Sequence, residues 1–308
     1  DSMTSFGVQA EQVALPRGAF HKPPRTYVTW DGRPVLGLSQ NDHRAYLYPV
    51  CTPAGVPVTS ESPTDHPHHN SVWVGADHVT ALLPFAEDRV EEANYSFYIN
   101  QTFQGRAAGR IVARSLDQRT VADDHLQLVQ TLDWIGPIEW GAPQGRTIGQ
   151  ETRTTSIRHV AGHTGDQSAF LVDVTCELTS ATWPLRIGPT RHAWFGIRLV
   201  EPLRPALGGQ LADPTGPQTV AGIVGQPGSW IQASAEVISG HTAGLVVARD
   251  PDTSRLPWSL YEWGTIDVNP LGTVARDLAD GDTLTCRLKL IAHDGPYTPE
   301  QIDHLVRL

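Results

Sequence analysis

Short runs rich in Val, Ile, Leu, Thr, Trp and Tyr, cut repeatedly by glycine or proline, commit this chain to strands joined by turns. With 28 Gly and 24 Pro spread along 308 residues, helix is interrupted almost everywhere. Strands are expected over 26–30, 45–50, 71–75, 95–102, 109–113, 126–134, 148–159, 169–179, 193–199, 230–235, 244–249, 258–263 and 283–293. Several alternate with period two. In Leu126-Gln127-Leu128-Val129-Gln130-Thr131-Leu132-Asp133-Trp134 the apolar side chains fall mainly on one face, as in a half-buried antiparallel strand. The run from Thr283 to His293 does the same.

Helix signals are few. Thr298 is an N-cap, Pro299 suits a first turn and Gln301 completes a capping box, with Ile302, Leu305 and Val306 as one apolar stripe. A short helix is also expected near 77–83. The Pro/Gly-rich stretch 202–228 reads as a long loop, either a surface excursion or a lid. Residues 1–308 are expected to form a single β-sandwich domain, with 1–20 as a loose N-terminal arm.

Composition excludes several functions. The formal net charge is −10, and no stretch concentrates basic residues with aromatics, so nucleic acid is not an expected partner. No apolar run is long enough to span a bilayer, and no membrane partner is expected. The three cysteines, Cys51, Cys176 and Cys286, are widely spaced without a CxxC, which argues for small apolar core residues in a cytoplasmic protein. A removed signal peptide stays open, as does a homodimer. Phosphate-binding and nucleophile-elbow glycine motifs are absent.

The most pointed feature is Asp65-His66-Pro67-His68-His69-Asn70, followed by Trp73. Pro67 forbids helix, and an extended segment would send His66 and His68 to one side and His69 to the other. Imidazoles so placed serve as general acid and base, or ligate a transition metal. Arg191-His192 precedes the strong strand Ala193-Trp194-Phe195-Gly196-Ile197-Arg198, where Arg191 can hold a polyhydroxyl or anionic ligand. In Trp258-Ser259-Leu260-Tyr261-Glu262-Trp263-Gly264-Thr265-Ile266-Asp267, aromatic faces suited to sugar rings flank Glu262. Glu151 is a second carboxylate candidate, and His78 flanks the cluster's region.

Tyr46-Leu47-Tyr48-Pro49-Val50, the Asp65–His69 segment with Trp73, Arg191-His192-Ala193-Trp194-Phe195-Gly196-Ile197-Arg198, and Asp280-Gly281-Asp282-Thr283-Leu284 with His293-Asp294-Gly295 together resemble the bacterial DUF6807 family, often labelled methane-oxygenase PmoA-like. One departure is Asn70, where the family pattern has Arg. A membrane oxygenase subunit requires apolar spans that this sequence lacks. The chain is also distantly similar to galactose-mutarotase-like proteins. The resemblance implies an all-β, antiparallel β-supersandwich with few short helices and an open sugar-binding cleft.

The expected function is acid–base chemistry (epimerisation, β-elimination or hydrolysis) on a carbohydrate-like small molecule. His68, His192 and Glu262 would be catalytic. Arg191, His66, His69, Asn70, Trp73, Tyr261, Trp263 and Glu151 would bind substrate. The cofactor is none or one divalent metal. In the metal alternative His66, His68 and His192 are ligands, and the substrate is a non-sugar metabolite. A sugar-binding module without catalysis is the third reading.

Overall fold

In the computed structural model, which describes residues 5–11, 24–139, 141–162 and 167–308, the period-two runs become three antiparallel sheets. An eight-stranded sheet runs in the order Phe6–Ala10, Arg25–Trp30, Arg33–Gln40, Ala45–Val50, Val72–Ala76, Ala193–Arg198, Thr265–Val268, Ser259–Leu260. A nine-stranded sheet runs Gly216–Gln218, Gln210–Asp213, Trp230–Ile238, His241–Arg249, Thr283–Asp294, Ser168–Ser180, Thr147–Ala161, His125–Ile135, Arg110–Ala122. A smaller sheet orders Arg276–Leu278, Leu185–Ile187, Val79–Pro84, Val90–Ser96 and Ala107–Ala108, the last pair parallel. The all-β, antiparallel architecture is as expected.

The two large sheets face each other across one core. Alternating side chains of His125–Ile135 and Ser168–Ser180, among them Leu128, Leu132, Phe170 and Val172, pack with Val28, Val74 and Ile197 of the opposite sheet. Trp134 of one sheet stacks on Trp194 of the other at 5.2 Å between ring centroids. All three cysteines are buried and free, and Cys176 pairs across strands with Cys286 inside this core.

Several expectations change. Region 77–83 is strand Val79–Pro84, because Val79 and Ala81 alternate into the core opposite Leu185 and Ile187. The strand expected over 95–102 ends at Ser96, and that over 258–263 is only Ser259–Leu260 before a turn. Stretch 202–228 carries a hairpin, Gln210–Asp213 with Gly216–Gln218, that extends the nine-stranded sheet, so it is built structure and not a bare loop. Of the supposed N-terminal arm, Phe6–Ala10 is an edge strand paired with Arg25–Trp30, and residues 1–4 and 12–20 lie outside the described residues. The C-terminal helix Pro299–Arg307 has its capping box, Thr298 with Gln301, and buries Ile302 and Leu305.

Glu151 belongs to this core. Its carboxylate accepts from Arg153 Nε at 2.7 Å, Arg153 Nη2 at 3.0 Å and Trp134 Nε1 at 2.8 Å, and Arg153 Nη1 donates to the Ala45 carbonyl at 3.1 Å in the opposite sheet. A buried guanidinium stripped of its carboxylate leaves an uncompensated charge. Glu151→Ala is therefore expected to cost about 3–5 kcal/mol in urea unfolding; a loss below about 1 kcal/mol would show that the pair does not brace the sheets.

Candidate functional site

Three adjacent strands of the eight-stranded sheet carry the site. Val72–Ala76 is entered from the histidine segment and left at Asp77; Ala193–Arg198 is entered from Arg191-His192; Thr265–Val268 places Thr265 and Asp267 on one face while Ile266 and Val268 enter the core. Gly196 sits between Trp73 and Asp267 in the cross-strand register. A Cβ there would lie 2.1 Å from Trp73 Cζ2, so only glycine lets the Trp73 ring lie over the middle strand.

The histidine segment is not extended. The His66 amide bonds the Pro63 carbonyl at 3.0 Å and the His69 amide bonds the His66 carbonyl at 2.9 Å, so two tight turns curl the chain. All three imidazoles then line one cleft, in place of the alternation an extended segment would impose. Ser71, in the left-handed region at φ 61°, turns the chain into its strand. That conformation costs a non-glycine residue roughly 1–2 kcal/mol, a strain that surrounding structure must hold.

Two buried arginines hold the turns. Arg198 donates to both Asp65 oxygens, at 2.9 and 2.6 Å, and to Thr265 Oγ1 and His69 Nδ1, each at 3.3 Å. Arg44 donates to the His68 carbonyl at 3.3 Å and to the Tyr98 carbonyl and Asn100 Oδ1, both at 2.6 Å. Asp65 also accepts from His66 Nδ1 at 2.8 Å. Burial would raise the Asp65 carboxyl, but His66 and Arg198 outweigh it and keep it ionised.

The rings form a ladder from solvent to core. Tyr261 stacks on Trp263 at 4.6 Å, Trp263 on His66 at 5.4 Å, His66 on His69 at 4.6 Å and His69 on Trp73 at 4.9 Å, all within 17° of parallel. His68 stands edge-on to His69 at 4.6 Å and to Tyr98 at 5.8 Å, and Tyr98 stacks on His192 at 4.8 Å. Burial, and then the charges of Arg44, His66 and His192, lower the His68 pKa to about 4. Burial and the neighbouring histidines lower His69 to about 2. Both are neutral near pH 7.

Carboxylates complete the cleft. Asp77 lies 3.6 Å from His192 Nδ1, an ion-pair distance just beyond a hydrogen bond, and accepts from Ser96 Oγ at 3.0 Å and Arg106 Nη2 at 3.2 Å. Burial would raise Asp77, but His192, Ser96 and Arg106 together hold it low. Asp267 is the opposite case. It is buried and has no side-chain hydrogen bond among the described residues, and burial pushes it up to about 7 against the weaker pull of His192 and Arg191. The cleft they enclose, about 560 Å³, is also lined by Arg191, Thr190, His78 and Phe103.

Of the residues singled out in the sequence, His66, His68, His69, Arg191, His192, Tyr261 and Trp263 line this cleft, and His78 joins them. Asn70 is buried behind it, bonded to Ser62; Trp73 lies beneath His69; Glu151 is in the intersheet core. Glu262 is exposed on the turn after Ser259–Leu260 and is not among the lining residues. Asp77, Tyr98 and Asp267 were not singled out. Asp267 had a signal, since Thr265 and Asp267 alternate with Ile266 and Val268 in a strand otherwise bound for the core.

The expected metal ligands His66, His68 and His192 line the cleft without converging: among the described residues no three His, Cys, Asp or Glu side chains form a group able to hold a metal ion.

Arg198 can only donate, so His69 Nδ1 is an acceptor and its ring proton sits on Nε2. Long-range ¹H–¹⁵N correlation spectra should show His69 as the Nε2–H tautomer, unchanged from pH 8 to pH 5. A titration centred near 6.5 would contradict this geometry.

In shape the chain is similar to a galactose 1-epimerase from Lactobacillus acidophilus NCFM, at 8% identity and a TM-score of 0.36, over 95% of this chain and 100% of that one. It is also similar to the galactosidase domain of the alpha-galactosidase-sucrose kinase AgaSK, at 12% identity and a TM-score of 0.33, over 85% of this chain and 41% of that one. No curated protein matches it by sequence. A family model matches residues 25–307 without an oxygenase description, and the chain belongs to that family, DUF6807, a family of unknown function.

Proposed function

We propose that the cleft is the active site of an enzyme performing acid–base chemistry on a carbohydrate-like substrate. The observation that carries this is Asp267, a buried carboxyl without a side-chain hydrogen bond among the described residues, facing the cleft with its proton affinity raised to about neutrality. A carboxyl in that state is a proton donor at pH 7. His192 also lines the cleft, with its Nδ1 turned to Asp77. That leaves Nε2 as the nitrogen able to take a proton, with Asp77 stabilising the imidazolium. Asp267 thus fills the role first given to Glu262, with His192 as base.

His68, neutral and half-enclosed, can share a hydrogen bond with a hydroxyl without carrying charge into the site. Tyr261, the end ring of the ladder, offers a flat face that no further ring of the described residues covers, and Arg191 offers a fork of donors, the combination that suits a polyhydroxylated ring. A passive binding module has no use for a carboxyl and imidazoles with proton affinities displaced in opposite directions, which is why catalysis is favoured.

The test is a panel of aldoses, keto-sugars and their methyl glycosides followed by ¹H NMR. On a substrate found this way, kcat/KM should fall as pH rises through about 7, where Asp267 loses its proton. Asp267→Asn should remove that limb and reduce kcat about 10²–10⁴-fold. The same variant should be the more stable protein at pH 8. The carboxyl's folded pKa, about 7, lies above the usual 3.8, so its ionisation destabilises the fold as pH rises between those values. Below pH 4 the advantage should vanish. An Asp267→Asn protein with undiminished turnover would sink the assignment.

A further inference from the structure

Asp267, Thr190 and Arg191 belong to two cavities at once. On one side lies the histidine cleft; on the other a second cavity of about 390 Å³ opens, with Leu256, Pro257, Trp258 and Pro189 among its walls. Apart from the shared Asp267 and Arg191, no ionisable side chain of the described residues lines that cavity. An apolar cavity of roughly 150 Å³ already holds a benzene ring, so this one admits a substituted aromatic group.

The second cavity is a built site. Arg249, itself buried, lies over the Trp258 ring at 3.8 Å and donates to the Leu256 carbonyl and, at 2.7 Å, to the Pro257 carbonyl, which fixes the apolar wall from behind. Stretch 202–228 backs the same wall: Trp258 N bonds the Gln226 carbonyl at 2.9 Å and Gly225 N bonds the Trp258 carbonyl at 3.0 Å. The ridge between the cavities is held too, as Asn269 Nδ2 donates to the Thr190 carbonyl at 2.7 Å and to the Gly272 carbonyl at 3.1 Å. A wall pre-set in this way binds without a large ordering cost.

The two cavities differ in chemistry, and one carboxyl reaches both. We propose that the substrate is a conjugate in two parts, a polyhydroxylated ring against Tyr261 and an apolar, ring-sized group in the second cavity, joined by a bond that lies over Asp267. This rests on the sugar-like reading of the first cleft and narrows it from free sugars to glycosides with an apolar aglycone.

The experiment is calorimetric titration of the full chain with paired methyl and 4-nitrophenyl glycosides of glucose, galactose and mannose, both anomers. For at least one sugar the nitrophenyl compound should bind about tenfold or more tightly than its methyl partner, as expected for burying an aromatic ring. Leu256→Asp puts a charge into the apolar wall and Thr273→Trp narrows the cavity from its rim. Each should bring the nitrophenyl glycoside down to the affinity of the methyl one. If methyl glycosides bind and the nitrophenyl group adds nothing, or if the preference survives both variants, the second cavity is not an aglycone site and the sugar reading stands. If no glycoside binds, both readings fall together.

Discussion

The guanidinium of Arg198, with no measurable exposure, is the constraint around which the site is organised. A buried charge of this kind needs a counter-charge and a full set of acceptors. Its strand neighbours supply only Thr265, so the chain before Val72 has to fold back and deliver Asp65 and His69. Two tight turns do this, and Pro67 and the left-handed Ser71 fit them. With Asp65 and His69 both held on Arg198, His66 lies over His69 and His69 over Trp73. The ring ladder thus goes with pairing the two terminal nitrogens of one buried arginine, whose Nε finds no acceptor among the described residues, and Gly196 is the vacancy that lets its innermost rung lie flat.

Two buried carboxyls show how partners alone decide the role of a residue. Glu151 meets a bidentate guanidinium and an indole N–H and serves as an intersheet clamp. Asp267, buried but facing the cleft, meets no donor among the described residues and keeps its proton to about pH 7. Such a group weakens the fold whenever it ionises, a cost that natural proteins tolerate where the group does something. Asp77 stands between these cases: it is buried enough to be raised, but His192, Ser96 and Arg106 keep it charged, and so available to orient the imidazole.

Much of this was legible in the sequence. Alternation announced the strands at 126–134 and 283–293, and the capping box at Thr298 and Gln301 announced the last helix, because those signals are local. The histidine cluster, Arg191-His192 and Tyr261/Trp263 were visible as residue types and do meet in one cleft. What the chain could not reveal locally was pairing. Glu151 and Glu262 look alike in sequence, yet one faces Arg153 in the core and the other stands on a turn in water. The folding-back of residues 63–69 depends on Arg198, more than a hundred positions away, so an extended reading of that segment missed the stack. Asp77 fell in a stretch read as helix, which hid its place at the end of a strand beside His192.

The account turns on Asp267 holding its proton near neutrality. The direct measurement is the side-chain carboxyl ¹³C shift of Asp267 followed from pH 3 to pH 9, assigned by its disappearance in Asp267→Asn. A single titration centred about pH 7 is the result the structure requires. A midpoint near the ordinary 3.8 would show that the carboxyl is ionised and solvated at neutrality, and would remove the proton donor from the proposed chemistry.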